Sequence, residues 1–176
     1  MKRYVYVFFC LLFVLAALTG CSGKDGHTVD LSYTVLVQKD TYDTLVKKGI
    51  HPFNTDPTEI RIADGKERIF FMQTLSDIGF SEAEAKLKAI TLYSKEGTPS
   101  AMMKSIELKQ SSGLFYSSCT MKAVTNKLDS DTWSLTVTIG MPGSIAQIQG
   151  GAVTDKFATF ELSNLTAENE IAAYSE

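Results

Sequence analysis

The side chains able to act as nucleophile, base or metal ligand are few and scattered: three cysteines, two histidines and twenty carboxylates in 176 residues. Cys119 would need a histidine or another thiolate-favouring neighbour to act as a nucleophile. It falls instead in an alternating stretch with Phe115, Met121 and Ala123, where a thiol behaves as a small apolar side chain. His27, with Asp25 and Asp30 close by, offers ligand types but not the close histidine pair of a zinc site. His51 stands beside Pro52, and both histidines read as solvated. Asp129-Ser-Asp131 has the carboxylate spacing of a calcium loop without its glycine or its distal glutamate, so it reads as a turn. No Gly-x-Ser-x-Gly elbow, Gly-x-Gly-x-x-Gly turn or phosphate-binding Walker loop occurs. No catalytic residue, no metal ligand and no diffusible cofactor is assigned.

One candidate binding segment remains. Met141-Pro-Gly-Ser-Ile-Ala-Gln-Ile-Gln-Gly-Gly151 is uncharged, rich in glycine and long for a hairpin connection, and long loops in compact domains often carry function. Ile145, Gln147 and Ile148 are its candidate binding residues. The alternative is a crossover whose two isoleucines plug one end of the fold.

The remaining cysteines concern the address of the chain. Lys2 and Arg3 precede an uncharged apolar run from Tyr4 to Leu18, short of the about 20 residues that span a bilayer comfortably. A basic start, a short apolar core and a small-residue exit describe an export signal. The exit is Leu18-Thr19-Gly20-Cys21, followed by the polar Ser22-Gly-Lys-Asp-Gly26. Over Met1–Cys21 the sequence resembles a bacterial lipoprotein precursor. That resemblance implies cleavage before Cys21, a thioether diacylglycerol on its sulfur and often a third acyl chain on the freed amine. Each buried methylene contributes about 0.8 kcal/mol, so one chain holds marginally and two hold stably. Ser22, where an Asp would argue retention, points to the outer membrane if the envelope has two. Otherwise the outer face of the cell membrane is expected.

With the leader 1–20 removed and 21–27 serving as the lipidated tether, 28–176 is one domain's worth of chain. The whole chain carries a formal charge of −3. The leader removes two bases and no acid, so the exported part is more acidic still. Acidity and export together oppose nucleic acid as a partner, and a helix-turn-helix reading of the segment around Gly79-Phe-Ser81 fails with it. Cys10 leaves with the leader and Cys21 is consumed by lipid, so Cys119 has no partner for a disulfide and stability must come from packing.

The elements read mostly as strands. Val29, Leu31, Tyr33, Val35 and Val37 alternate with polar residues, the period of a half-buried strand. Asp40–Lys48 forms a short helix stopped by Gly49, and a loop punctuated by Pro52 and Pro57 follows. Glu59–Ile62 is a strand. Beyond it, Ala63–Lys66 makes either a hairpin into 67–73 or the start of a helix at Asp64. Glu67 as capping partner and Phe71, Leu75 and Ile78 at helical spacing favour the helix, ended by Gly79. A second capping box at Ser81–Glu84 opens a helix to about Lys88. Ile90–Tyr93, 102–109, 115–123, Trp133–Met141 and Phe157–Leu162 supply strands, and the chain closes in an acidic tail. The fold class is mainly β (α+β): an antiparallel β-sandwich or open barrel with one or two short helices inserted around 64–89.

Two functions of different class fit. The first is a membrane-tethered, non-catalytic binding or envelope-assembly module, with the membrane and an envelope or extracellular protein as partners. The second is a small envelope enzyme or soluble-ligand carrier whose site is assembled by folding, for instance from carboxylates such as Asp40, Asp43, Asp56 and Glu59.

Overall fold

Alternation along the chain builds two antiparallel sheets with their apolar faces turned together. The computed structural model describes residues 28–53, 57, 59–63, 65–112, 117–127, 132–163 and 167–176. The export signal, Cys21, the tether with His27, Asp56, Phe115 and the turn 129–131 lie outside the described residues.

Strand β1 (Thr28–Gln38) buries Val29, Leu31, Tyr33, Val35 and Val37 on one face, as their spacing requires. Helix α1 (Lys39–Lys47) follows, burying Thr41 and Leu45, and Gly49 leaves it at a φ of 75°. Then come β2 (Glu59–Ala63), β3 (Lys66–Gly79) and helix α2 (Phe80–Lys88), which buries Ala83 and Leu87. The later strands are β4 (Thr91–Tyr93), β5 (Pro99–Ala101), β6 (Met103–Ser112), β7 (Ser117–Thr125), β8 (Trp133–Gly140), β9 (Ile145–Gln149), β10 (Ala152–Thr154), β11 (Phe157–Ser163) and β12 (Glu170–Ser175). A six-stranded sheet has the order β10-β11-β8-β1-β3-β2, and a four-stranded sheet the order β6-β7-β12-β9. A small third sheet pairs β4 with β5. Every ladder is antiparallel. One apolar core joins Leu31, Val35, Leu135, Val137 and Phe160 of the larger sheet to Met121, Ile171 and Ala173 of the smaller. The mainly β sandwich with short helices is therefore as expected, and it is not closed into a barrel.

Four expectations are corrected. Residues 66–79 form a strand, not a helix, so α2 is the only helix within 64–89 and the other stands at 39–47. The hairpin alternative is the one adopted: Ala63 pairs with Lys66, and Gly65 turns at a φ of 70°. The helical spacing of Leu75 and Ile78 has another cause. Between them β3 takes one residue more than β1, so that Leu31 faces Leu75 and Val29 faces Ile78. Such a bulge shifts the side-chain phase and puts residues three apart on one face. Asp77, inside it, sits at a φ of 54° and its N–H donates to Asp30 Oδ1 (3.2 Å).

The segment expected as a long loop, 140–151, contains β9, which pairs with β12. The acidic tail is not a tail: β12 lies inside the four-stranded sheet, flanked by β7 and β9. Finally, α2 starts at Phe80 with Gly79 in the capping position and no side-chain cap, so Ser81 does not cap it. Instead Glu84 Oε1 accepts the backbone N–H of Leu108 at 2.7 Å, occupying a donor on the outer edge of β6.

β9 and β10 run from one sheet to the other through Gly150 and Gly151 and close that side of the sandwich. A Cβ on Gly151 would stand 2.5 Å from Thr159 O and 2.6 Å from Phe160 Cδ1. Gly151→Ala therefore forces the corner away from β11 and costs about 2 kcal/mol. Gly79 has open space and an ordinary φ of −65°. Gly79→Ala trades a weaker cap for a stiffer unfolded chain and changes stability by less than ~0.5 kcal/mol. Urea denaturation of the two variants checks the contrast.

Candidate functional site

Tyr33 and Gln73 face each other across β1 and β3 on the inner side of the larger sheet, one step from Val35 and Phe71. A phenol and an amide in a row otherwise aliphatic or aromatic must be hydrogen-bonded or wet. Here the Tyr33 hydroxyl donates to Gln73 Oε1, and burial pushes the phenol's pKa upward, so it remains a donor. These residues form the floor of a cleft of about 430 Å³.

Two pieces of chain wall it. On one side, the segment His51–Phe53 follows α1 after the turn fixed by Ile50 N–H donating to Leu45 O (2.9 Å). On the other, Lys86 and Ala89 at the end of α2 lead into Ile90, Thr91 and Tyr93. Tyr93 is held through its carbonyl, which accepts the indole N–H of buried Trp133 at 2.7 Å. Phe53 sits in the left-handed region at a φ of 66°, a conformation costing a bulky residue on the order of 1–2 kcal/mol. Its ring lies 4.8 Å from Phe71 and 6.3 Å from Trp133 between centroids, and Tyr42 meets Phe71 at 5.8 Å. Stacking of this kind offsets the backbone cost.

The charges are one-sided. His51 and Lys86 line the cleft, and no carboxylate does so among the described residues. Lys88, on the other side of α2, pairs with Glu84 at 3.3 Å, whereas no described residue pairs with Lys86. The carboxylates weighed as an acid–base pair do not meet here. Asp43 pairs with Lys39 at 2.9 Å, Glu59 with Arg61, and Asp40 is exposed on α1. Among the described residues no cluster of three or more His, Cys, Asp or Glu could hold a metal ion. The cleft brings the rings of Phe53 and Tyr93 together with polar groups at Gln73, Lys86 and His51.

The sequence-derived candidates lie elsewhere. Ile145 and Ile148 turn inward and pack against the core, where a second bulge sets their three-residue spacing. Gln147 is exposed on the outer face of the four-stranded sheet, beside Tyr174, Ala172, Thr120 and Lys122 in a shallow groove of about 490 Å³. His51 lies at the mouth of the cleft and is exposed. The cleft itself was missed, although two signals were present: a tyrosine in the aliphatic row of β1, and the His-Pro-Phe that follows α1. The chain matches no protein-family model, no curated protein and no solved structure.

Cys119 lies in β7, 1 % exposed, and burial pushes its thiol up to about 11 from 9.0. Folded protein thus keeps this proton through a pH range where unfolded chain has lost it. Stability present below about pH 9 is lost as pH rises toward 11, by about 2–3 kcal/mol from this group. The raised Tyr33 phenol acts in the same direction above about pH 10. Cys119→Ala flattens the first part of that alkaline decline, which urea midpoints followed across the range will measure. Cys119 also stays unreactive toward thiol reagents at neutral pH until the domain unfolds.

Proposed function

We propose that this protein is a lipid-tethered, non-catalytic binding module of a bacterial envelope, and that it takes its ligand in the cleft between β1, β3 and the chain around α2. The observation carrying the reading is the cleft itself, with aromatic walls, a bonded Tyr33–Gln73 floor and no carboxylate among its described lining residues. Binding pockets in general are apolar concavities with a few convergent polar groups.

The lipobox supports the address. Among the described residues no helix is long and apolar enough to cross a membrane, and diacylglycerol on Cys21 would do the anchoring. The tether from Ser22 to Thr28 reaches at most about 25 Å. β1, with 11 residues, is about 35 Å long, which puts Tyr33 and the cleft half-way up the domain. A ligand or partner side chain would then be met laterally, above the headgroups rather than among them.

Two experiments test this reading. Cys21→Ser blocks lipid attachment and moves the protein from the membrane to the soluble fraction; retention in washed membranes would show that something other than lipid holds it. A photo-crosslinker at Thr91 captures the ligand or partner in living cells, whereas one at Thr136, on the opposite face of the larger sheet, captures none. Equal capture at both positions would remove the cleft from the proposal.

A further inference from the structure

Resting on the cleft being the binding site, we infer that its ligand is an organic carboxylate: an apolar, aromatic-sized body carrying one anionic group that Lys86 receives. What carries it is charge left over. Lys88, on the same helix, is neutralised by Glu84 at 3.3 Å. Lys86 lines the cleft without a described carboxylate partner, half-buried beside Ile90 and Tyr93, with His51 across the mouth as a second donor. An ammonium partly withdrawn from water and lacking a counter-ion gains most from an anion that arrives with its own apolar covering. A cationic ligand would find no acid among the described lining residues.

The anion is a carboxylate rather than a phosphate. A dianionic phosphate is recognised by guanidinium forks, several cations or a helix N-terminus. The cleft offers one lysine and no arginine among its described lining residues. Phe53 and Tyr93, both half-buried, give the cleft its exposed ring surface, with Phe71 buried 4.8 Å behind Phe53. These two rings can flank a flat hydrocarbon body, with the polar groups of Gln73 and Thr91 beside it. The carboxylate can belong to a free acid or to the C-terminus of a peptide, and the two are separable by experiment.

The test uses the lipidated protein in phosphatidylcholine vesicles, with empty vesicles as the blank. The probes are 3-phenylpropanoate and its amide, and Gly-Gly-Phe with a free and an amidated C-terminus. Binding is read by equilibrium dialysis and by the fluorescence of Trp133, the single tryptophan, which lies one ring behind the cleft. The expected result is that at least one free acid binds about tenfold tighter than its amide, a preference of about 1.4 kcal/mol. That preference shrinks as salt rises, disappears in Lys86→Met and survives in Lys86→Arg. Preference for the small acid alone marks a free organic acid as the ligand, and preference for the peptide alone marks a chain terminus. Acid and amide binding equally would overturn the carboxylate inference while leaving the cleft as a binding site. A preference that persists in Lys86→Met would overturn the role of Lys86. If neither probe binds at millimolar concentration, the reading of the cleft as a binding site falls, and this inference falls with it.

Discussion

Strands in a sheet stand about 4.8 Å apart, so six strands present about 10 Å more inner surface than four can cover. This mismatch in width governs the molecule. β1 and β3, toward the β2 edge of the larger sheet, are contacted by both α1 and α2. The surplus is roofed by α1, α2 and the chain around β4 rather than by more strands. Two helices and a short hairpin do not tile a flat surface as a second sheet does. The unfilled remainder is the cleft, and the polar pair Tyr33–Gln73 marks where the covering thins. At the far edge the roof runs out altogether: Ile60 and Ile62 of β2 are 58 % and 77 % exposed.

Most of the fold was legible because most of it obeys a period of two. β1 and β8 bury alternate residues without exception over their inward rows, and both could be read directly. The errors share one physical origin. In β3, in β6 and in β9 a register shift places buried or half-buried apolar residues three apart, as Leu75 and Ile78, Met103 and Ile106, and Ile145 and Ile148. Three is a helical interval when the partner strand is unknown, which is why 64–78 looked like a helix and 140–151 like an irregular loop. β12 was hidden differently. Its inward residues are Ile171, Ala173 and Ser175, and alanine and serine carry almost no hydrophobic signal, although they are the sizes that fit between β7 and β9.

The candidate site was illegible for another reason. It draws Tyr33 and Gln73 from two strands forty residues apart in sequence, Phe53 and Tyr93 from two further places, and Lys86 from a helix whose apolar face points elsewhere. None of these residues stands out alone. What they have in common is strain and support: a phenylalanine in the left-handed region, held by rings on both sides, and a tyrosine backbone tied down by the indole behind it. Rigid aromatic walls lose little entropy when something settles against them.

The position of β12 also bears on how the chain must be made. β7 has β6 on one side, available at once, but on its other side it needs β12, and Asn169 meets Thr125 from 44 positions away in sequence. During synthesis β7 therefore emerges long before its second partner. For that interval the inner edge of the small sheet is bare, and Cys119, Met121 and Ala123 lack the Ser175, Ala173 and Ile171 that β12 later sets beside them. Long-range pairings of this kind fold slowly and expose edges that aggregate. The order of elements thus makes the nascent chain, rather than the finished domain, the vulnerable species, and gives a holding chaperone something definite to hold.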